Sequence, residues 1–274
     1  MHPYSISGKK GSWFSNLSIT TLLIIINVVI SILIWVLIGL NLVPLDFILK
    51  YFAITPDLIL SGKCLWTLFT SMFVHIEPFH IFANMFSLFF VGKFLEKIIG
   101  RKRFFWIYIA SGIIGGLFFV AGQILLGNII TPGVGASGAI FGLVGVLAVL
   151  VPFSRIYLIV GPLLLIIAEV ILSSVLHKNI FGFVGPLITV LFILMLFSMI
   201  SFNRRLRRIS IPLELPMWLL PIIAIVPLVI VGLFVELPIA NSAHFGGLVI
   251  GLIYGFYLRK KFPNKTKRIS QMFR

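Results

Sequence analysis

Residues 17–40, LSITTLLIIINVVISILIWVLIGL, carry no charged side chain over about 24 positions. A helix rises about 1.5 Å per residue, so this run is long enough to cross the roughly 30 Å of hydrocarbon in a bilayer. Phe104 to Leu126 forms a second such run. Around them the chain of 274 residues is 60% apolar and 11% charged, with a mean hydropathy of +1.17. Soluble domains run near half apolar and about a quarter charged, so a soluble fold is excluded. The apolar residues come in unbroken runs and not in alternating segments of about 10 residues between turns, which makes the spans helices and not barrel strands.

Working outward from these two runs, spans are expected at 17–40, 79–99, 104–127, 137–152, 156–177, 183–202, 216–236 and 243–258. The chain thus reads as an all-α polytopic membrane protein of about eight spans. It holds 22 Lys and Arg against 7 Asp and Glu, a net charge of +15. That excess does not imply nucleic acid, because the basic residues flank apolar runs in short clusters and form no soluble basic face. They sort by topology instead. With the amino terminus inside, Lys9, Lys10, the 93–103 cluster, Arg155, the run Arg204, Arg205, Arg207 and Arg208, and the tail from Arg259 all lie inside. Only Lys50, Lys63 and Lys178 fall outside. The positive-inside rule therefore puts the amino-terminal segment 1–16 and the basic tail 259–274 in the cytoplasm, the tail resting on anionic lipid headgroups at about 1 kcal/mol per charge.

Lys9 and Lys10 precede an apolar run too long for a signal-peptide core of roughly 7–15 residues, so the first helix reads as retained. Residues 41–78 are apolar in patches but interrupted by Lys50, Pro56, Asp57 and Lys63. A span there would invert every later loop, so the segment reads as an outer loop dipping into the interface. No Gly/Ser linker divides residues 17–258, which read as one membrane domain. Cys64 is the single cysteine, so neither an intramolecular disulfide nor a C-x-x-C metal site can form; it reads as a buried spectator.

Polar side chains inside spans are costly, so their positions carry the information. The second span begins with His80 and Asn84, which share a helical face at i and i+4. The fourth begins with Gly135-Ala136-Ser137-Gly138 and the last with Ala243-His244-Phe245-Gly246-Gly247. All three spans run in the same direction, so His80, Asn84, Ser137 and His244 share a shallow depth near the outer face. A serine hydroxyl is a weak nucleophile and needs an adjacent base, which His244 supplies for Ser137. An oxyanion would need donors, and the Ser137 N–H at a helix start, the His80 imidazole and the Asn84 amide are candidates. Phe141, one turn after Ser137, points to the same face and is placed to stack on His244. Gly138, Gly142 and Gly145 on one span, and Gly247, Gly251 and Gly255 on the other, allow the close helix approach that a Ser–His bond requires.

Other polar residues read more plainly. His75 and Glu77 lie at the lip of the second span as structural or solvated groups, and His2 and His177 have no partner in view. Glu169 sits inside an expected span, either on a proton or ion pathway or hydrogen-bonded to a neighbouring helix through Ser173, Ser174 or Thr189.

Taken together, these residues resemble the rhomboid family of intramembrane serine proteases over about Gly62 to Phe256. Trp66, His75, His80, Asn84, Gly92 and Glu96 look like the family's first loop and second helix in type and spacing. G-A-S-G-A-I-F-G and A-H-F-G-G are similar to its serine and histidine signatures. The resemblance implies a Ser137/His244 dyad with no third carboxylate, an oxyanion hole including His80 and Asn84, and no cofactor or metal. It also implies cleavage of membrane-embedded substrates in or beside a transmembrane helix, with small residues at the cut. Two departures stand out. Thr67 follows Trp66 where the family usually has Arg, and about 60 residues separate Pro152 from Pro216, read as two helices inserted over 156–202 into the family's six-helix core. The seventh span, with Pro216, Pro221 and Pro227, corresponds by order to the family's proposed substrate gate, and prolines permit bending.

The expected function is that of an intramembrane serine endopeptidase in a cell membrane, its site facing the extracytoplasmic side. A rhomboid-like binding or quality-control factor is the second class, although it typically lacks the serine or histidine present here. A transporter is the third, hinted at by Glu169 and the inserted helices.

Overall fold

The computed structural model describes residues 17–159, 178–200, 212–232 and 240–273, with isolated positions between 164 and 176. Expectations for residues 1–16, Glu169, Ser173, Ser174, His177 and the Arg204 to Arg208 run lie outside the described residues, as does the Thr189 side chain.

The helices in chain order are α1 (Ile19–Gly39), α2 (Leu45–Phe52), α3 (Pro56–Leu60), α4 (Thr67–Thr70) and α5 (Pro78–Ile99, with a π turn at Leu88–Gly92). They continue with α6 (Arg101–Leu125), α7 (Ser137–Leu150), α8 (Lys178–Ile200), α9 (Leu220–Gly232), α10 (Asn241–Lys261) and α11 (Pro263–Met272). Two strands, β1 (Arg155–Ile159) and β2 (Pro212–Pro216), pair antiparallel, with Tyr157 opposite Glu214. The chain forms two compact units, one of residues 1–152 and 218–272, the other of 153–217 and 273–274.

By length and composition, α1, α5 and α6 are able to cross a membrane. On α1 only Thr20, Leu23, Asn27, Ser31 and Ile34 are buried, the stripe expected at helical spacing. An opposite face of that helix, including Val29, Leu33 and Val36, is exposed and apolar, which suits hydrocarbon and not water. The chain is an integral membrane protein.

The start of α1 is locked to the end of α5. Ser18 caps α1 by accepting from Thr21 N, and the orphan donors Ile19 N and Thr20 N bond the Glu96 carboxylate at 2.8 and 2.9 Å. Thr20 Oγ1 donates to the same carboxylate at 2.7 Å, while Lys93 Nζ donates to Ser18 Oγ and Thr21 Oγ1, each at 2.6 Å. A buried anion at a helix amino terminus is favoured by both the dipole and the free N–H groups.

The segment between α1 and α5 folds as short helices, as the interrupted pattern suggests, and Cys64 within it is buried. Trp66 Nε1 donates to Tyr51 O at 2.8 Å, Thr70 Oγ1 to Phe52 O at 3.2 Å, and Trp35 Nε1 to Ile76 O at 2.7 Å. Thr67, at the position where an arginine is usual among rhomboids, turns its hydroxyl onto Cys64 O at 2.7 Å and is buried. A paired bridge between Ile54 and Gly133 and a bond from Gly135 N to Ser71 O at 2.8 Å dock this loop onto the segment that leads into α7.

Two expectations are corrected. The helix expected over 156–177 begins instead as β1, and Pro216, where the next span was expected to start, ends β2, with a 3-10 turn over Met217–Leu219 before α9 starts at Leu220. A five-residue run holding two isoleucines and a tyrosine is ambiguous by itself; a partner strand more than fifty residues on decides it. The prolines bounding β2 sit at strand ends, where a missing N–H is tolerated. Arg155 and Glu214 pair at 3.3 Å across the ribbon, but both are solvent-facing and the pair adds little. The described α8 starts at Lys178, five residues before the expected start at 183.

In the first unit α7 is the central helix, buried along nearly its whole length, with α6 and α10 against it. A Cβ placed on Gly247 would overlap Gly138 O, and one on Gly251 would overlap Gly142 O; one on Gly145 would come within 2.7 Å of Leu248 O. The two backbones therefore touch, as small residues permit. Gly251→Ala is expected to cost about 1–3 kcal/mol or more, because backbone cannot yield as a side chain can. Gly39→Ala, which meets open space, should cost nothing measurable. Unfolding in detergent micelles, comparing the two variants, checks this.

Candidate active site

Ser137 is the first residue of α7 and His244 the fourth of α10. His244 Nε2 lies 2.8 Å from Ser137 Oγ, within hydrogen-bond distance for proton exchange. The Phe141 ring stacks on the His244 imidazole, with centroids 4.4 Å apart and planes at 18°. His244 is buried, and its Nδ1 has no hydrogen-bond partner among the described residues. Among the described residues the ring is thus oriented by stacking and by its bond to Ser137.

The turn before Ser137 depends on Gly135, whose φ of +117° is in the region that side chains avoid. A Cβ there would also come within 2.6 Å of His80 Nε2, so the same glycine makes room for the imidazole. A Cβ added to Gly138 would be in ordinary contact with the Ala243 carbonyl and Gly115, where α6, α7 and α10 meet. The Asn84 amide donates to the His80 carbonyl one turn back at 2.9 Å. Of the expected site residues, Ser137, His244 and Phe141 are in direct contact and His80 lies against Gly135. Asn84 is buried one turn beyond His80, and Gly247 and Gly251 hold α10 against α7.

His75, read from sequence as structural or solvated, has a definite place. It is fully buried, its Nε2 accepts from Ala136 N at 3.3 Å, and its ring meets His80 edge-on with centroids 4.9 Å apart. It therefore supports both the turn before Ser137 and the His80 imidazole. Its partner is 61 positions away, and no periodicity in the sequence signals such a contact.

A cavity of about 40 Å³ opens beside Ser137, lined by Met72, Gly112, Gly116, Phe119 and the 133–135 backbone. On that measure one water needs roughly 10–15 Å³, so the space suits a small group and not an aromatic ring.

His75→Leu leaves the Ala136 N–H without an acceptor and is expected to destabilise the protein by about 1–3 kcal/mol. His75→Gln, which can offer an oxygen, should recover part of that loss. Paired unfolding measurements, with amide exchange at Ala136, test both expectations.

The rhomboid domain family matches residues 62–184 and 156–261, more than half of the chain. Rhomboid protein 1, mitochondrial, of Saccharomyces cerevisiae is 34% identical over 117 residues, 42% of this chain and 33% of that protein. Inactive RHOMBOID-like protein 8 of Arabidopsis thaliana is 41% identical over 81 residues, 30% and 22% of the two chains. Rhomboid protease GluP of Bacillus subtilis is 39% identical over 92 residues, 33% and 17% of the two chains. The matches thus span a third or less of these relatives' own lengths, and the relatives include both a named protease and a named inactive protein. On the extent of the family match, joined to the membrane-helix architecture, this chain belongs to the rhomboid family.

Proposed function

We propose that the protein is an intramembrane serine endopeptidase that cleaves membrane-embedded proteins in or near a transmembrane helix. The observation that carries this reading is the 2.8 Å contact between Ser137 Oγ and His244 Nε2. Ser137 Oγ attacks a peptide carbonyl while His244 Nε2 takes the hydroxyl proton. The tetrahedral oxyanion accepts hydrogen bonds from the Ser137 N–H at the start of α7, from His80 and from the second amide hydrogen of Asn84. His244 then gives its proton to the leaving amine as the C–N bond breaks, leaving an acyl-enzyme. A water, losing its proton to His244, attacks that ester, and the same proton returns to Ser137. No cofactor or metal enters these steps.

Further parts of the reading follow from the charge pattern and the site's shape. The excess of Lys and Arg on one set of loops puts both termini in the cytoplasm and the dyad toward the extracytoplasmic face of a cell membrane. The small cavity beside Ser137 favours small residues at the cut. Pro221 at the start of α9, where its missing N–H is harmless, and Pro227 within it make α9 the helix suited to bend and admit a substrate laterally.

A second reading, a rhomboid-like binding factor without catalysis, is favoured by the likeness to a relative named inactive. Labelling with a fluorophosphonate probe separates the two. Wild type should be labelled and Ser137→Ala should not, while His244→Ala should slow labelling by roughly 10²–10⁴-fold. Labelling that persists in Ser137→Ala would overturn the nucleophile, and an unlabelled wild type would favour the binding factor.

A further inference from the structure

We propose that Met72 sets the largest side chain that the site accepts on the residue supplying the attacked carbonyl. This inference rests on the protease reading above. The acyl carbon held on Ser137 is one bond from the carbon that bears that residue's side chain, so the cavity beside Ser137 lies within its reach. Of the α6 residues that line the cavity, Gly112 and Gly116 contribute no side chain and leave bare backbone, while Phe119 contributes its ring.

Each bare stretch is covered by one large neighbour. A Cβ on Gly112 would collide with the Met72 thioether, one on Gly116 would come within 2.7 Å of Ile54 Cδ1, and one on Gly133 within 2.8 Å of the Phe119 ring. Three side chains therefore decide how deep the space is. Ile54 and Phe119 are committed elsewhere: with Val120 they form a buried cluster against Ile59, Leu68, Ala240 and Ala243, and cutting either one back would loosen the helix packing.

Met72 is different. It is 2% exposed, in the short 3-10 turn Ser71–Phe73, and lies outside that cluster. Its turn is tied to the site by the bond from Gly135 N to Ser71 O at 2.8 Å, so its backbone is held in place relative to Ser137. The side chain itself is unbranched and adaptable, the kind that fills an irregular gap and tolerates substitution. Removing its thioether extends the cavity along Gly112 without touching Ser137, His244 or the turn between Gly135 and Gly138.

The test uses the full chain in proteoliposomes with one membrane substrate carrying Ala, Leu or Phe as the residue that supplies the attacked carbonyl. Ser137→Ala serves as the blank, and rates are normalised to fluorophosphonate labelling. Met72→Ala is expected to raise the Phe-to-Ala ratio of kcat/KM by at least about tenfold, the scale on which hydrophobic pockets discriminate by size. Met72→Val should give a smaller rise in the Leu-to-Ala ratio. Gly112→Ala, whose methyl needs space that the thioether occupies, should lower both ratios. If Met72→Ala does not accumulate, Met72→Val decides. Ser137-dependent cleavage with ratios unchanged in a labelled Met72 variant overturns the assignment of Met72 and leaves the protease reading intact. Absence of any Ser137-dependent cleavage by wild type overturns that reading, and this inference with it.

Discussion

The contact between the backbones of α7 and α10 sets the distance between Ser137 and His244. Both side chains leave their helices near the same end, and a serine is too short to reach far. Only when Gly138 and Gly142 present bare carbonyls to Gly247 and Gly251 do the helix axes come close enough for a 2.8 Å bond. In hydrocarbon no hydrophobic force draws the helices together; shape complementarity and buried polar contacts must do so. The glycines are thus a condition for the site as well as for the fold.

Around that contact the protein meets a second constraint: every polar group placed in a membrane interior needs a partner, or its desolvation is uncompensated. The Ser137–His244 pair follows this economy only in part, since His244 Nδ1 has no hydrogen-bond partner among the described residues. His244 bonds Ser137 and stacks on Phe141. His75 takes the Ala136 N–H of the turn before Ser137. At the other end of α5, the Glu96 carboxylate accepts from the first N–H groups of α1, where the helix dipole favours a negative charge, and Lys93 donates to the Ser18 and Thr21 hydroxyls. The loop between α1 and α5 is held by backbone acceptors for Trp66, Thr67 and Thr70. The arginine that is usual beside the tryptophan is therefore not required for the loop's internal hydrogen bonds.

The second unit shows where reading apolar runs by length fails. Residues 156–159 look like the start of a long membrane helix because hydropathy counts side chains and ignores the backbone. Pairing with Pro212–Pro216 satisfies that backbone as a ribbon. Ile156, Tyr157 and Ile159 suit either state locally, and the choice rests on a partner strand that no window of the sequence contains.

The sequence by itself determined the membrane setting, the helical class and the pair at the centre of the site. Unbroken apolar length and the placement of Lys and Arg are additive properties of the chain, readable without knowing what touches what. Phe141 was legible for a similar reason, since a side chain one turn after Ser137 must share its face. Tertiary structure alone decided the role of His75, the β ribbon, the start of α9 and the depth of the cavity under Met72. Each of these depends on two segments far apart in sequence meeting at a distance fixed to a few tenths of an ångström by close packing. Composition and periodicity carry no record of such a meeting.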